Sequence, residues 1–143
     1  MSAKENSGIA KRFVEEVLNR GNFDLVDEVF APDFVNHFGP PGIPPGAAGF
    51  KQVLRGFRAA FPDLHVEIED LVTEGDKVVC RFASSGTHQG ALMGVPPTGK
   101  RVTWTAICID RYDGGKIVER WEVTDMLGMM AQLGVTFSPG RAG

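Results

Sequence analysis

Apolar residues recur at helical spacing in the first part of the chain and at strand spacing in most of the rest. Ser7 to Arg20 is the clearest predicted helix, because its apolar side chains fall on one stripe and Gly21 follows as a natural stop. Further helical patterns lie at 23–30, 47–61 and 126–133, and the alternating pattern of strands lies at 33–38, 64–73, 78–87, 101–112 and 116–124.

The order of these elements predicts an α+β fold. Three helices come first, and the long strands that follow are joined by hairpin turns such as 113–116, which makes them antiparallel neighbours. Helices that cover one face of a curved sheet would leave a cone with a cavity inside. The 143 residues fit a single domain, with an ordered core at about 7–134 and a flexible tail after it.

The segment from Lys116 to Leu133 joins a strand to a helix. By alternation, Asp125 shares a strand face with Trp121 and Val123, so its carboxyl group should point with them into an apolar interior. A carboxyl group in such surroundings suits general acid–base catalysis. The alternative is that Asp125, or Thr124 before it, caps the helix that follows. Alternation fixes only relative faces, and a β-bulge would exchange them.

Other polar residues on or beside the strands are further candidates for a site, because an unpaired buried polar group costs about 1–3 kcal/mol. Arg81 lies within an otherwise apolar strand, although a strand arginine is more often solvent-facing or in an ion pair. His37 and His88 lie beside the two loops rich in glycine and proline, at 39–46 and 90–99. A lone histidine in a loop is more often an ordinary surface residue.

Composition excludes several classes of protein. Hydrophobic residues make up 43% of the chain, charged residues 23%, and the net charge is -3, with no basic patch for nucleic acid. No apolar run is long enough to span a bilayer, and the N-terminal segment lacks the apolar core of a signal peptide. Cys80 and Cys108 have neither zinc spacing nor disulfide-scaffold density, so buried free thiols in a cytoplasmic protein are expected.

Four segments carry a resemblance to a known family: DFVNH at 33–37, the run at 61–90, GVPPTGKRVTW at 94–104 and DGGKIVERWEVTDMLGMMAQLG at 113–134. The chain resembles the SnoaL-like polyketide cyclases of the nuclear transport factor 2-like superfamily, which share a cystatin-like α+β cone. The resemblance implies an enzyme that closes a ring by an intramolecular aldol reaction without metal or other cofactor. Because the superfamily is diverse, a non-catalytic binding module, or a hydrolase or isomerase, is the alternative.

The resemblance assigns the acid–base role to Asp125, at the end of the WxxxD segment that begins at Trp121. In the cyclases a histidine on the preceding strand accompanies that aspartate, but 105–111 contains none, so His37 or His88 would have to serve.

The expected ligand is a small, flat, hydrophobic molecule with carbonyl groups. Arg81 or His37 would polarise a carbonyl or hold an anionic group, and His88 is a further candidate for binding the substrate. The apolar walls of the site are expected at Phe38, Met93, Trp104 and Trp121. Apolar residues on both faces of the strand at 101–112 indicate a sheet covered on both sides, so a homodimer is expected.

Overall fold

The computed structural model describes residues 2–136 and 138–139, which contain four α-helices and five β-strands. In chain order they are α1 (Ala3–Phe13), α2 (Leu25–Val29), β1 (Phe30–Asn36), α3 (Gly46–Ala60), β2 (His65–Glu74), β3 (Lys77–Thr87), β4 (Arg101–Asp113), β5 (Lys116–Thr124) and α4 (Met126–Gln132). A π-helical segment, Val14–Asn19, continues α1. None of the described helices is long and apolar enough to cross a membrane.

The five strands form one curved, unclosed sheet in the order β1-β5-β4-β3-β2. β1 runs parallel to β5, and the other three pairs are antiparallel, because each of them joins strands that follow one another in the chain. The predicted α+β class is confirmed.

The burial pattern of β4 shows which face of the sheet is covered. Its buried residues include Val102, Trp104 and Ala106, and the exposed residues that alternate with the buried ones include Ile107. We call the buried side the inner face and the exposed side the outer face. The core between the helices and the inner face is rich in aromatic rings, which include Phe13, Phe30, Phe34 and Phe50.

A β-bulge in β5 decides which of its residues face inward. Ile117 and Glu119 pair with consecutive residues of β4, so Val118 between them has no partner. The extra residue reverses the alternation from that point onward. Ile117 is buried, and the next fully buried residue of the strand is Arg120. Every side chain after the bulge therefore lies on the face opposite to the one predicted by counting from Ile117.

The first two helices differ from their predicted extents. The helix predicted for Ser7–Arg20 starts earlier, because Ser2 and Glu5 form a reciprocal capping box, and its last part is π-helical. The helix predicted at 23–30 is shorter, because Phe30 begins β1 instead. The tail predicted to be flexible lies partly outside the described residues.

Candidate active site

A cavity of about 120 Å³ lies between the inner face of the sheet and α3. Apolar side chains form most of its wall: Leu18, Phe38, Phe50, Val53, Leu54, Phe57, Leu64, Val66, Phe82, Trp104, Ala106 and Met126. The polar side chains come mainly from β1 and β5: Asn36, Ser84, Arg120, Glu122 and Thr124. A ligand that fits this space is largely apolar and carries its hydrogen-bonding groups along one edge.

Arg120 is a buried cation in the cavity wall. Its Nε and Nη2 donate to the two carboxylate oxygens of Asp110 at 2.6 and 2.7 Å. The rings of Phe13, Phe30 and Phe50 surround the guanidinium, with centroids 5.3, 5.6 and 5.2 Å away. Burial by itself would lower the pKa of Arg120, but the Asp110 carboxylate holds that pKa above its usual range. The cavity wall therefore contains a permanent positive charge.

Glu122 is the one carboxylate among the described residues that line the cavity. Its side chain is 17% exposed, and Oε1 lies 3.8 Å from Nη1 of Arg120. Its Oε2 accepts a hydrogen bond of 2.9 Å from the hydroxyl of Thr124. The carboxylate is thus shielded from most solvent and held from two sides, with lone pairs left for a ligand.

Asn36 lies beside Arg120, because β1 and β5 pair in register at these two residues. Its Oδ1 accepts a hydrogen bond of 3.1 Å from the backbone N–H of Phe38, which fixes the orientation of the amide group. Within the described part of the chain, neither Nδ2 of Asn36 nor Nη1 of Arg120 makes a hydrogen bond. Both groups can therefore donate a hydrogen bond to a ligand oxygen, Nη1 in addition to its ion pair with Glu122.

Asp125 lies on the outer face, so its expected inward orientation is wrong. Because of the bulge, it continues the exposed row of Trp121 and Val123, which are 37% and 77% exposed. Its Oδ1 accepts a hydrogen bond of 2.9 Å from the backbone N–H of Gly128, and Asp125 is the N-cap of α4. The position of Asp125 therefore matches the alternative prediction, that it caps the helix. Trp121, which was expected to bind the substrate, is not among the residues that line the cavity.

His37 belongs to a cluster on the outer side of β1. Its side chain is 43% exposed, its Nε2 lies 2.7 Å from Oε2 of Glu119, and its ring stacks on Trp121. The hydrogen bond from His37, supported by Arg111, lowers the pKa of Glu119. The structure therefore joins His37 to Glu119 and brings it neither to Asp125 nor into the cavity wall.

Three other expected site residues also lie away from the cavity. Arg81 is on the outer face, where its Nε donates to Asp70 at 2.7 Å. His88 is fully buried, but its Nδ1 accepts from the backbone N–H of Thr98 at 3.1 Å and so anchors the β3–β4 connection. Met93 lies in the same connection and is 64% exposed. Of the expected substrate-binding residues, the structure places Phe38 and Trp104 in the cavity wall.

The prediction missed the polar residues that do line the cavity. Alternation counted from Ile117 without the bulge puts Arg120 and Glu122 on the opposite face. One signal could have located them: Asp110 shares the buried row of Trp104, and a carboxylate there requires a cation opposite it.

The two cysteines face each other across β3 and β4. Cys80 and Cys108 are buried free thiols, as the sequence predicted. The pKa of Cys108 is raised mainly by its hydrogen bond with Cys80 and secondly by burial, so this thiol stays protonated. Among the described residues, no three His, Cys, Asp or Glu side chains are placed to hold a metal ion.

Comparison with known proteins places this architecture in a family. The sequence matches the SnoaL-like polyketide cyclases over residues 8–133. The chain belongs to that family. Nogalonic acid methyl ester cyclase of Streptomyces nogalater is 33% identical to it, over 81% of this chain and 88% of the relative. Aklanonic acid methyl ester cyclase DnrD of Streptomyces peucetius is 31% identical, over 88% of each chain.

Solved structures share the SnoaL-like fold of this chain. TsrD from Streptomyces laurentii has a TM-score of 0.86 at 28% identity and covers 94% of this chain and 98% of its own. IdmH from Streptomyces antibioticus has a TM-score of 0.78 at 36% identity, and the match covers 91% of this chain and 99% of IdmH. The protein is thus a SnoaL-like enzyme of the polyketide cyclase type, built around a cavity that contains Glu122.

Proposed function

We propose that the protein closes a ring in a polyketide by an intramolecular aldol reaction, with Glu122 as the general base and acid. One observation carries the proposal: Glu122 is a partly buried carboxylate inside an apolar cavity, 3.8 Å from a buried arginine. Proton transfer by a positioned carboxylate in such a site is a common way to activate a carbon next to a carbonyl group.

In the proposed reaction Glu122 removes a proton from a carbon next to a carbonyl group of the substrate. The electron pair is delocalised onto that carbonyl oxygen as an enolate, and the carbon then attacks a second carbonyl carbon of the same molecule. The new carbon–carbon bond leaves negative charge on the second oxygen, which takes the proton back from Glu122. Substrate and product are isomers, so the step requires no oxidant, reductant or co-reactant.

Arg120 and Asn36 would stabilise the enolate oxygen. Nη1 of Arg120 and Nδ2 of Asn36 make no hydrogen bond among the described residues, and they come from adjacent positions of β5 and β1. When Glu122 takes the proton it becomes neutral, and the negative charge moves to the substrate oxygen while Arg120 remains beside both. Preorganised donors of this kind typically contribute about 10²–10³-fold to kcat.

The relatives provide the first substrates to test, nogalonic acid methyl ester and aklanonic acid methyl ester. Wild-type protein should convert at least one of them to a product of the same mass and different chromatographic retention. Glu122→Gln should lower kcat by about 10²–10⁴-fold with the fold unchanged. Glu67→Gln, which alters an exposed carboxylate of β2, is the control. Wild-type turnover by Glu122→Gln would remove Glu122 from the mechanism, and binding of both esters without turnover would favour a binding module.

We also propose that two copies associate through their outer faces. Ile107 pairs with Val123 and Ile109 pairs with Trp121, so these exposed apolar side chains form one continuous patch across β4 and β5. Large exposed apolar patches mark interaction sites, and a two-fold axis would cover the patch with its own copy. Light scattering at micromolar concentration should give twice the mass of the chain, and a monomer would contradict the proposal.

We further propose that the protein works in the cytoplasm. Cys80 and Cys108 lie directly opposite each other as free thiols, a pair that an oxidising compartment would tend to join. Cell fractionation should recover the protein in the cytosol with both thiols titratable after unfolding. Recovery in an oxidising compartment, with the thiols joined, would contradict this location.

A further inference from the structure

Asp110, Arg120 and Glu122 form a row of charged side chains along the inner face of β4 and β5, which we call the charge row. Asp110 is 3% exposed and is not among the residues that line the cavity, so a ligand there does not touch it. We propose that Asp110 is a positioning residue, which holds the guanidinium of Arg120 away from Glu122 and so leaves Glu122 able to take up a proton. The inference rests on the proposed function, because it concerns the acid–base step of the same site.

The pairing of β4 with β5 brings Asp110 against Arg120. The backbone N–H of Asp125 donates to the carbonyl oxygen of Thr105 at 3.0 Å, so the odd-numbered residues of β4 bond to β5. The even-numbered residues therefore form the non-hydrogen-bonded pairs, in which the Cα atoms are about 4.5 Å apart and the side chains lie close together. Asp110 and Arg120 are such a pair, which explains the two short bonds between their side chains.

The orientation of the guanidinium favours Asp110 over Glu122. Nε and Nη2 of Arg120 bond to Asp110 at 2.6 and 2.7 Å, whereas Nη1 is 3.8 Å from Oε1 of Glu122, too far for a hydrogen bond. Because a guanidinium is rigid and planar, the bonds to Asp110 also fix where Nη1 points. Without them, a shift of about 1 Å would bring Nη1 into a hydrogen bond with Glu122 and occupy a lone pair that the base needs.

The charges of the row show what Asp110 does for proton uptake. With Glu122 ionised, the row contains two negative charges and one positive charge, so a proton on Glu122 makes it neutral. Without the charge of Asp110, the row is already neutral, and a proton on Glu122 would leave the cation of Arg120 buried and uncompensated. An uncompensated buried charge is costly. Asp110 therefore decides whether proton uptake removes a buried net charge or creates one.

The other groups around Glu122 were considered by element. Among the described residues that line the cavity, Arg120 and Glu122 are the ones with a charge, and α3, β1 and β3 contribute uncharged side chains. The titratable groups behind the wall are Asp110, Tyr112, Cys80 and Cys108. Tyr112 and Cys108 stay neutral, because burial raises the pKa of Tyr112 and the hydrogen bond with Cys80 raises that of Cys108. Cys80, whose pKa that bond lowers, is on β3, two strands away from Glu122.

Distance sets the size of the two opposing effects on Glu122. Nη1 of Arg120 is 3.8 Å from its carboxylate, while Asp110 occupies the diagonal position across the strand pair, about 7–8 Å away. Coulomb energies fall with the inverse of distance, so Asp110 offsets about half of the effect of Arg120. At an effective dielectric constant of about 20, that half corresponds to about 1–2 pH units in the titration of Glu122.

The test measures the pH at which Glu122 is half protonated, by carboxyl ¹³C NMR, with Glu122→Gln to identify the signal. Asp110→Asn should lower this pH by about 1–2 units and move the acid limb of kcat/KM by the same amount. Asp70→Asn, which removes the carboxylate partner of Arg81 from an exposed ion pair on the outer face, is the matched control and should leave both unchanged. A purely structural role of Asp110 would lower stability without moving the titration.

The double variant Asp110→Asn, Arg120→Met keeps the test valid if Asp110→Asn does not fold, because it leaves neither partner of the buried ion pair charged. It should raise the pH of half protonation by about 1–2 units, since Glu122 loses the net attraction of Arg120. A rise of about 3 units or more is the effect of Arg120 unopposed by Asp110 and would overturn the inference. An unchanged titration of Glu122 in either folded variant would overturn it as well.

The titration needs no substrate, so it separates this inference from the proposed function. If wild-type protein turns over neither methyl ester while the titration moves as expected, the aldol reaction fails and the role of Asp110 beside Glu122 stands. If turnover is found and the titration of Glu122 in Asp110→Asn equals that of wild type, the reaction stands and the inference fails.

Discussion

The two faces of β5 carry neighbouring residues with opposite surroundings. Arg120 and Glu122 face inward, where one forms a buried ion pair with Asp110 and the other lines the cavity. Trp121 and Val123 alternate with them on the outer face and are exposed. Adjacent residues of β5 therefore belong to different surfaces, one set to the cavity wall and the other to the exposed outer face.

The two carboxylates at the end of this strand show what the difference means for chemistry. Glu122 lies beside a buried cation in an apolar cavity, whereas Asp125 is exposed and accepts the backbone N–H of Gly128. The same functional group is thus placed for acid–base chemistry in one position and for helix capping in the other. The surroundings of the residue, and not its type, decide between the two roles.

The largest expected effect separates these two carboxylates. Glu122→Gln should lower kcat by about 10²–10⁴-fold. Asp125→Asn should keep kcat within about twofold of wild type, because asparagine caps a helix as well as aspartate does. The two variants are compared in the same assay with the methyl esters named above. Loss of turnover in Asp125→Asn alone would return the acid–base role to Asp125.

The next largest expected effect is on stability. It distinguishes an arginine on the inner face of the sheet from an arginine on the outer face. Arg120→Met leaves Asp110 buried without its partner and should lower the free energy of unfolding by about 3–5 kcal/mol. Arg111→Met removes a partly exposed ion pair with Glu119 and should lower it by less than about 1 kcal/mol. Urea denaturation measures both, and similar values for the two variants would contradict the distinction between the faces.

A third effect tests the outer face as an interface. Val123→Asp would place a charge within the proposed contact between two copies and should raise the dissociation constant of the dimer by about 100-fold. Thr124→Val, one residue further on and turned to the cavity, is the matched control and should leave association unchanged. Light scattering across a dilution series follows the mass. A stable Val123→Asp dimer would show that this face is not the interface.

The smallest expected effect comes from the cluster of His37 and Glu119. The hydrogen bond from His37 lowers the pKa of Glu119, so this carboxylate stabilises the fold above its unfolded pKa, about 4.3, and loses that contribution as pH falls through the lowered value. His37→Ala should lower Tm at pH 7 by about 2 °C. The difference from wild type should shrink below about pH 4. A Tm difference that is constant with pH would exclude Glu119 as its cause.

The sequence predicts most of the elements well because their patterns are local. The strands predicted at 78–87 and 101–112 agree with β3 and β4 to within one residue at each end, since their alternation is uninterrupted. The helix predicted at 23–30 extends too far, because Phe30 belongs to β1, and the cause lies outside the local sequence. Phe30 pairs with Ile117, 87 positions later, and that contact makes it part of a strand.

The candidate site could be predicted only in part. Phe38 and Trp104 were expected in the wall of a cavity, and the structure places both there. Arg81 and His37 were expected to serve a ligand, but each is paired with a carboxylate outside the cavity. Periodicity shows that such residues lie on strands, yet it does not show which partner occupies the adjacent strand.

By itself the sequence determined that Arg120, Glu122 and Thr124 share one face of a strand and that Asp125 belongs to the other. Only the tertiary structure decided which of these faces lines the cavity. The reason is Val118: whether an extra residue bulges out of a strand depends on its pairing with the neighbouring strand, which the alternation of one strand does not contain. Because Val118 is unpaired, the carboxylate that lines the cavity is that of Glu122 and not that of Asp125.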